Sequence, residues 1–307
     1  VSTPARGGPY RGRFAPTPSG PLHFGSLVAA LGSYLDARSQ GGEWLVRMED
    51  VDPPREVAGA ADAILRALEA YGFQWDGPVM YQSRRGPAYR EALETLRAMG
   101  LVYACACSRK LLADTAPRGV DGPVYPGTCR LARHGPNGRA LRLLVPEARV
   151  GFHDRLLGQV NCDIGRECGD FPLRRADGVH TYQLAVVVDD AEQGITHVVR
   201  GADLLASTPR QIVLQQYLGL PTPRYLHLPV VLDAHGDKLS KQTLAKPLDD
   251  RRPLPTLRAA AAFLGMGCPA DLDDLAAFWA WAMAAWPNAR TPPLRGSRPA
   301  GGSPCNS

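Results

Sequence analysis

Apolar positions along the chain follow two alternating rhythms. Residues 11–15 read as the end of a short strand. The next stretch, "LHFGSLVAALGSYLDARSQGG", places apolar side chains at 27, 28, 31, 34 and 35, a helical spacing that Gly41 and Gly42 stop. "EWLVRMED" alternates Trp44, Val46 and Met48 with charged neighbours, as a half-buried strand does. "REVAGAADAILRALEAYGF" and "PAYREALETLRAMG" return to the helical period. Strand, helix, strand, helix predicts a parallel sheet with right-handed crossovers.

Residues 101–177 break this rhythm with cysteines, glycines, prolines and short irregular pieces. It returns with "TYQLAVVVDD", read as a buried strand, then "THVVRGADLL", the helix "TPRQIVLQQYLG" and the strand "HLPVVLD". The expected architecture is α/β: one Rossmann-like nucleotide-binding domain from residues 9–100 and 178–246, interrupted by a subdomain at 101–177. Two helices at 247–287 form a small C-terminal element. Residues 288–307, rich in Pro, Gly and Ser, are expected to be disordered.

Composition narrows the function classes. No apolar run approaches the roughly 20 residues of a membrane span, and "VSTPARGGPY" lacks the apolar core of a signal peptide. The expected location is the cytoplasm, with no membrane partner. A net charge of +5 is compatible with an RNA partner without establishing one. Of 35 basic residues four are lysine, and Lys238, Lys241 and Lys246 lie close together. In a chain that otherwise uses arginine, this suits a site needing a compact ammonium on a flexible stem, or it is chance clustering. Seven cysteines in a chain of 307 residues fit metal binding or reduced thiols better than a disulfide framework.

Two stretches carry candidate chemistry. In "RFAPTPSGPLHFGS", Pro16, Pro18 and Pro21 hold the backbone extended until a helix starts at His23. A helix N-terminus offers free amide hydrogens to phosphate, and His23 adds a donor there, while Gly25 leaves room for a flat base or ribose. Taken alone, the stretch reads equally well as a structural loop. "HGDKLSKQ" carries two lysines three apart, able to offset charge on a departing pyrophosphate, although alone it reads as a solvated basic loop. "YACACSRKLL" and "GPVYPGTCR" bring Cys105, Cys107, Tyr125 and Cys129 into one segment, which by spacing is either a closed zinc site or three thiols in a turn.

Together the two loops resemble the paired signatures of the class I aminoacyl-tRNA synthetases. "HFGS" stands in place of His-x-Gly-His and "KLSKQ" in place of Lys-Met-Ser-Lys-Ser. "RFAPTPSGPLHFGSL", "VRMEDVDPPRE", "TYQLAVVVDD" and "VVRGADLLASTPRQ" are similar to the glutamyl and glutaminyl branch. Two departures are Ser26 for the second histidine and Thr17 where serine is commoner. The resemblance implies a Rossmann-like class I catalytic domain with an inserted zinc-bearing subdomain. Arg13, Phe14, Ala15, Pro16 and Thr17 would line a glutamate pocket. Glu49 would face the substrate ammonium, with Tyr182 and Arg200 completing the cage. His23, Gly25, Ser26 and Lys241 would hold ATP, and His23, Lys238 and Lys241 would serve catalysis, with Mg²⁺ on the phosphates. Cys105, Cys107, Tyr125 and Cys129 would bind one structural Zn²⁺.

About sixty residues follow the lysine loop, too few for the large helical anticodon-binding region of an ordinary member. The chain therefore resembles the truncated subfamily that transfers glutamate to queuosine in tRNA(Asp). The expected partners are L-glutamate, ATP and queuosine-bearing tRNA(Asp), and the expected state is a monomer. The alternatives are a truncated enzyme charging tRNA(Glu), a small-molecule nucleotidyltransferase of the same superfamily, and a non-catalytic zinc-containing RNA-binding relative. Cys162 and Cys168 read as thiols. "GMGCPA" imitates a dinucleotide fingerprint but lacks its preceding strand. Asp189 and Asp190 read as local caps or ion pairs, and Asp50 and Asp52 as a surface turn paired with Arg55.

Overall fold

The computed structural model describes residues 8–119, 122–132, 134–232 and 246–288. The first half-sheet is parallel: β1 (Arg11–Phe14), β2 (Glu43–Met48) and β3 (Met80–Tyr81) pair in that order. The crossovers carry α1 (Phe24–Arg38) and α2 (Ala60–Ala70), and α3 (Gly86–Ala98) follows β3. Next come β4 (Val102–Cys105), α4 (Arg109–Thr115), β5 (Arg118–Gly119), β6 (Gly122–Pro123), β7 (Ala140–Leu143), β8 (Arg149–Asp154), β9 (Gly158–Asp163) and β10 (Pro172–Arg174). The chain then runs through α5 (Tyr182–Glu192), β11 (His197–Gly201), α6 (Thr208–Tyr217) and β12 (Arg224–Leu228) to α7 (Pro253–Phe263) and α8 (Leu275–Ala285).

In the second half-sheet β11, β12 and β8 run parallel, and β9 turns back antiparallel on β8. The two halves meet where the Thr196 N–H donates to the Arg11 carbonyl at 2.9 Å and the Arg11 N–H donates to Thr196 Oγ1 at 2.9 Å. Both residues stand at the start of their strands, so the carboxyl ends of β1, β2, β11 and β12 share one edge. Ligands bind at that edge in open parallel sheets. β4, β7 and β10 form a separate antiparallel sheet. β8, drawn from the span read as an insertion, pairs with β12 and carries β9 with it, so residues 101–177 contribute two strands to this sheet.

One element differs from the sequence expectation. "TYQLAVVVDD" is the helix α5, where the valine run predicts a strand. Leu184, Ala185, Val186, Val187, Asp189 and Asp190 are all buried, so the helix has no polar face to reveal its period. A short apolar run cannot separate a buried helix from a buried strand.

The C-terminal helices are part of the main core. Trp279 packs edge-on against Tyr34 of α1 and against Phe73, each with ring centroids at 4.9 Å. Beneath them Asp36 is fully buried and accepts from Tyr10 Oη at 2.5 Å, Trp286 Nε1 at 3.0 Å and both terminal nitrogens of Arg155 at 2.5 and 2.8 Å. One carboxylate thus ties β1, α1, the β8–β9 turn and the end of α8 together. Gly32 lets α1 lie directly on β12, because a Cβ there would sit 2.5 Å from Leu228 Cδ1.

Candidate active site

A cavity of about 820 Å³ opens at the shared carboxyl edge of the strands. Arg13, Phe14, Ala15, Pro16, Thr17, His23, Gly25, Ser26, Glu49, Tyr182 and Arg200 all line it. The local folding explains the convergence. β1 ends at Phe14, and the stiff loop beyond it is held against β2, because the Glu49 N–H donates to the Pro16 carbonyl at 3.0 Å. The chain enters α1 with His23 as N-cap, in extended geometry, and its Nδ1 accepts the Ser26 N–H at 3.3 Å. With Nδ1 used as acceptor, a neutral imidazole carries its proton on Nε2, a donor beside the helix N-terminus.

Lys238 and Lys241 lie outside the described residues. Their flanks are described, and both adjoin the cavity. Pro229, Val230 and Val231 line it. On the other side Pro247 forms an antiparallel bridge with His23, and the Leu248 N–H donates to the Leu22 carbonyl at 3.0 Å.

The charged groups of the cavity form a buried network. Arg13 is 4% exposed, and its Nε–H donates to Asp190 Oδ1 at 3.1 Å. Arg47, wholly buried, reaches the same oxygen at 2.7 Å, Gln193 Oε1 at 2.7 Å and Glu49 Oε1 at 3.6 Å. Burial pushes the Glu49 carboxyl up to about 7, against the pull of the Arg47, Arg13 and Arg200 guanidiniums, and Asp190 adds to the rise. Burial also opposes ionisation of Asp190, yet Arg13 and Arg47 hold it below the ordinary carboxylate range. Arg200 donates from Nη1 to Tyr182 Oη at 3.4 Å, from Nη2 to Thr208 Oγ1 at 2.8 Å and from Nε to His227 Nε2 at 3.3 Å. The result is a pocket with two fixed guanidiniums and one acid close to its titration point.

Several of these residues escape the sequence reading. Arg47 faces inward where strand alternation places it among outward charges. Asp190 sits on α5 and binds two arginines, while its neighbour Asp189 takes Gln82, Arg85 and Tyr89. Asp50 caps the turn at Ser83, and Asp52 pairs with Arg175 at 2.6 Å instead of with Arg55. Arg55 lines the cavity and has no ion pair among the described residues. The one available signal was "DD" closing an apolar run, since two adjacent acids there need buried cations. The partners stand 100 or more positions away.

The cysteine cluster lies in the intervening segment. The sulfurs of Cys105, Cys107 and Cys129 are within 4.8 Å of one another. Cys107 and Cys129 are 3.7 Å apart, and Tyr125 Oη lies 3.4 Å from Cys105 Sγ and 3.8 Å from Cys107 Sγ. A tetrahedral zinc with bonds near 2.3 Å separates its sulfurs by about 3.8 Å, so this donor set fits zinc. The Cys162 and Cys168 sulfurs approach to 3.9 Å without a disulfide.

The model for the catalytic domain of class I tRNA synthetases (E and Q) matches residues 10–252. The chain belongs to this class I glutamyl- and glutaminyl-tRNA synthetase family. Within it, curated relatives carry the name glutamyl-Q tRNA(Asp) synthetase. The protein of Chromobacterium violaceum is 60% identical over 284 residues, covering 92% of this chain and 95% of the relative. That of Dechloromonas aromatica is 61% identical over 283 residues, covering 91% and 94%. Among solved structures, a glutamate tRNA ligase from Elizabethkingia meningosepticum in complex with its amino acid superimposes with a TM-score of 0.74 at 24% identity. It covers 94% of this chain and 67% of the ligase chain, a likeness of fold. No helix among the described residues is long and apolar enough to cross a membrane.

Proposed function

We propose that the protein activates L-glutamate with ATP and transfers the glutamyl group to queuosine in tRNA(Asp). The observation that carries this reading is the meeting of the two arginines, Glu49, Tyr182 and the His23 helix N-terminus in one cavity. Arg13 and Arg200 suit the carboxylates of an acidic amino acid, Glu49 its ammonium, and the helix N-terminus a phosphate. The names of the curated relatives supply the acceptor.

The chemistry needs no protein nucleophile. An oxygen of the substrate α-carboxylate attacks the α-phosphorus of ATP, and the bond to the bridging oxygen breaks, releasing pyrophosphate. His23, the α1 amides and Lys238 and Lys241 offset the charge on the departing phosphates, and Mg²⁺ enters with ATP. A hydroxyl of the queuosine cyclopentene ring then attacks the acyl carbon. The anhydride C–O bond breaks, AMP leaves, and the hydroxyl proton passes to the phosphate side. Cys105, Cys107, Tyr125 and Cys129 would hold a structural zinc that organises the intervening segment without activating water.

The test is glutamate-dependent ATP–pyrophosphate exchange without RNA, followed by transfer of labelled glutamate to tRNA(Asp) with and without its modified base. Exchange without RNA and labelling of the modified tRNA alone support the reading. Labelling of tRNA(Glu) instead would make the protein a truncated charging enzyme. Absence of exchange would remove the catalytic reading.

A further inference from the structure

His227 has no place in the mechanism above, yet it is fully buried on β12 next to the wall of the cavity. Its Nδ1 lies 2.7 Å from Asp154 Oδ2, which also accepts the His227 backbone N–H at 3.0 Å. The other oxygen of Asp154 accepts the N–H groups of Leu156 and Leu157 at 2.9 and 3.0 Å. The acid is therefore fixed by the chain reversal between β8 and β9. A carboxylate can only accept, so Nδ1 must carry the imidazole proton and Nε2 must present a bare lone pair.

That lone pair meets two groups, the Arg200 Nε–H at 3.3 Å and the Thr208 hydroxyl at 3.1 Å. Arginine has only donors. A neighbour that offers one acceptor to Nε fixes the guanidinium plane and leaves the outer nitrogens for other partners. Arg200 is 5% exposed and lines the cavity, so its plane sets which direction its outer nitrogens serve. The opposite tautomer would oppose donor to donor at this point.

We propose that His227, locked by Asp154 into the Nδ1–H tautomer, is a positioning residue for Arg200 and so determines how tightly the cavity holds an acidic substrate. The inference rests on the reading of Arg200 as a substrate-carboxylate ligand. It makes the Asp154–His227–Arg200 chain the support of one wall of the site, as Asp190 is for Arg13. Both supports grip Nε.

The variants His227→Leu, His227→Gln and Asp154→Asn, with the wild type, are compared in glutamate-dependent pyrophosphate exchange. His227→Leu removes the acceptor and is expected to raise KM for glutamate about 10- to 100-fold, the effect of an ångström-scale misplacement. KM for ATP should stay within about twofold, since the partners of Arg200 described above are Tyr182, Thr208 and His227 and not the α1 N-terminus. His227→Gln, whose Oε1 can accept from Arg200, should recover most of the loss. Asp154→Asn should behave like His227→Leu by releasing the tautomer.

Unchanged glutamate KM in folded His227→Leu, equal defects in the Leu and Gln variants, or a matching rise in KM for ATP would each overturn the proposal. Should the variants not fold, the ¹⁵N imidazole resonances of the wild-type chain decide it. A protonated Nδ1 and a bare Nε2 whose signal shifts on adding glutamate support the proposal, and a protonated Nε2 or an unmoved signal refutes it. Loss of exchange in the wild type would instead sink the proposed function, leaving the tautomer measurement intact.

Discussion

Glu49→Gln separates function from stability in a way the structure makes quantitative. The side chain is 9% exposed, and burial raises its carboxyl to about 7. Near pH 6 about a tenth of the free protein would carry the anion that a substrate ammonium needs, and near pH 8 about nine tenths. The wild-type KM for glutamate should therefore fall about tenfold between those values, while KM for ATP stays nearly flat. Removing one partner of a buried charge pair costs about 2–4 kcal/mol, so Glu49→Gln should raise KM for glutamate about 30- to 1000-fold and abolish the pH dependence.

Stability moves the other way. The folded chain holds the Glu49 proton up to about 7, while the unfolded chain releases it near 4.5. Raising the pH through that window therefore removes stability, by at most about 3 kcal/mol. Glu49→Gln carries no such loss and should unfold at higher urea than the wild type at pH 8. Urea melts and pyrophosphate exchange at pH 6, 7 and 8 make the comparison. A KM for glutamate that is flat with pH in the wild type, or a variant within twofold of it, would show that Glu49 does not meet the ammonium.

The other expectations concern separate parts of the molecule. Lys241→Ala should slow pyrophosphate exchange about 10²- to 10³-fold, the usual loss of one preorganised charge donor; an unchanged rate removes Lys241 from the mechanism. Metal analysis should find about one zinc per chain, and Cys129→Ser should lose it together with several degrees of melting temperature; a wild type without zinc refutes the site. Asp36→Ala leaves the buried Tyr10 and Trp286 donors, and the half-exposed Arg155, without their shared acceptor and should cost about 2–4 kcal/mol in urea unfolding. A loss under 1 kcal/mol would show that the C-terminal helices do not depend on that carboxylate.

What the sequence revealed and what it concealed divide along a physical line. Chain-local features were legible: Pro16, Pro18 and Pro21 before the His23 cap, the period of α1, and the alternation of β2. The cavity residues Arg13, Glu49, Tyr182 and Arg200 were named through resemblance, because nothing local distinguishes a buried arginine from a solvated one. The supports behind them were not legible at all. Asp190 is 177 positions from Arg13, and Asp154 is 73 from His227. Such pairs leave no periodic trace, and the burial of α5 on all sides hid even its helical type.

The charge count of these concealed groups bears on which substrate the cavity prefers. Arg13, Arg47 and Arg200 stand in or behind its wall, and Asp190 and Glu49 are the acids they face. Arg55 and Asp203 also line the cavity and Asp154 stands behind His227, so with Glu49 ionised four arginines face four acids, and the placement of the charges decides. Arg200 donates to Tyr182, Thr208 and His227, all uncharged: burial holds the His227 imidazole below its ordinary range, with Arg200 adding to the fall against the pull of Asp154. Arg13 is already balanced by Asp190. L-glutamate brings a second carboxylate that can meet the Arg200 guanidinium directly. Glutamine brings a neutral amide to the same place and forfeits the charge-assisted, bidentate contact. Discrimination between the two amino acids should therefore collapse most in variants that release Arg200, and less in those that touch Arg13.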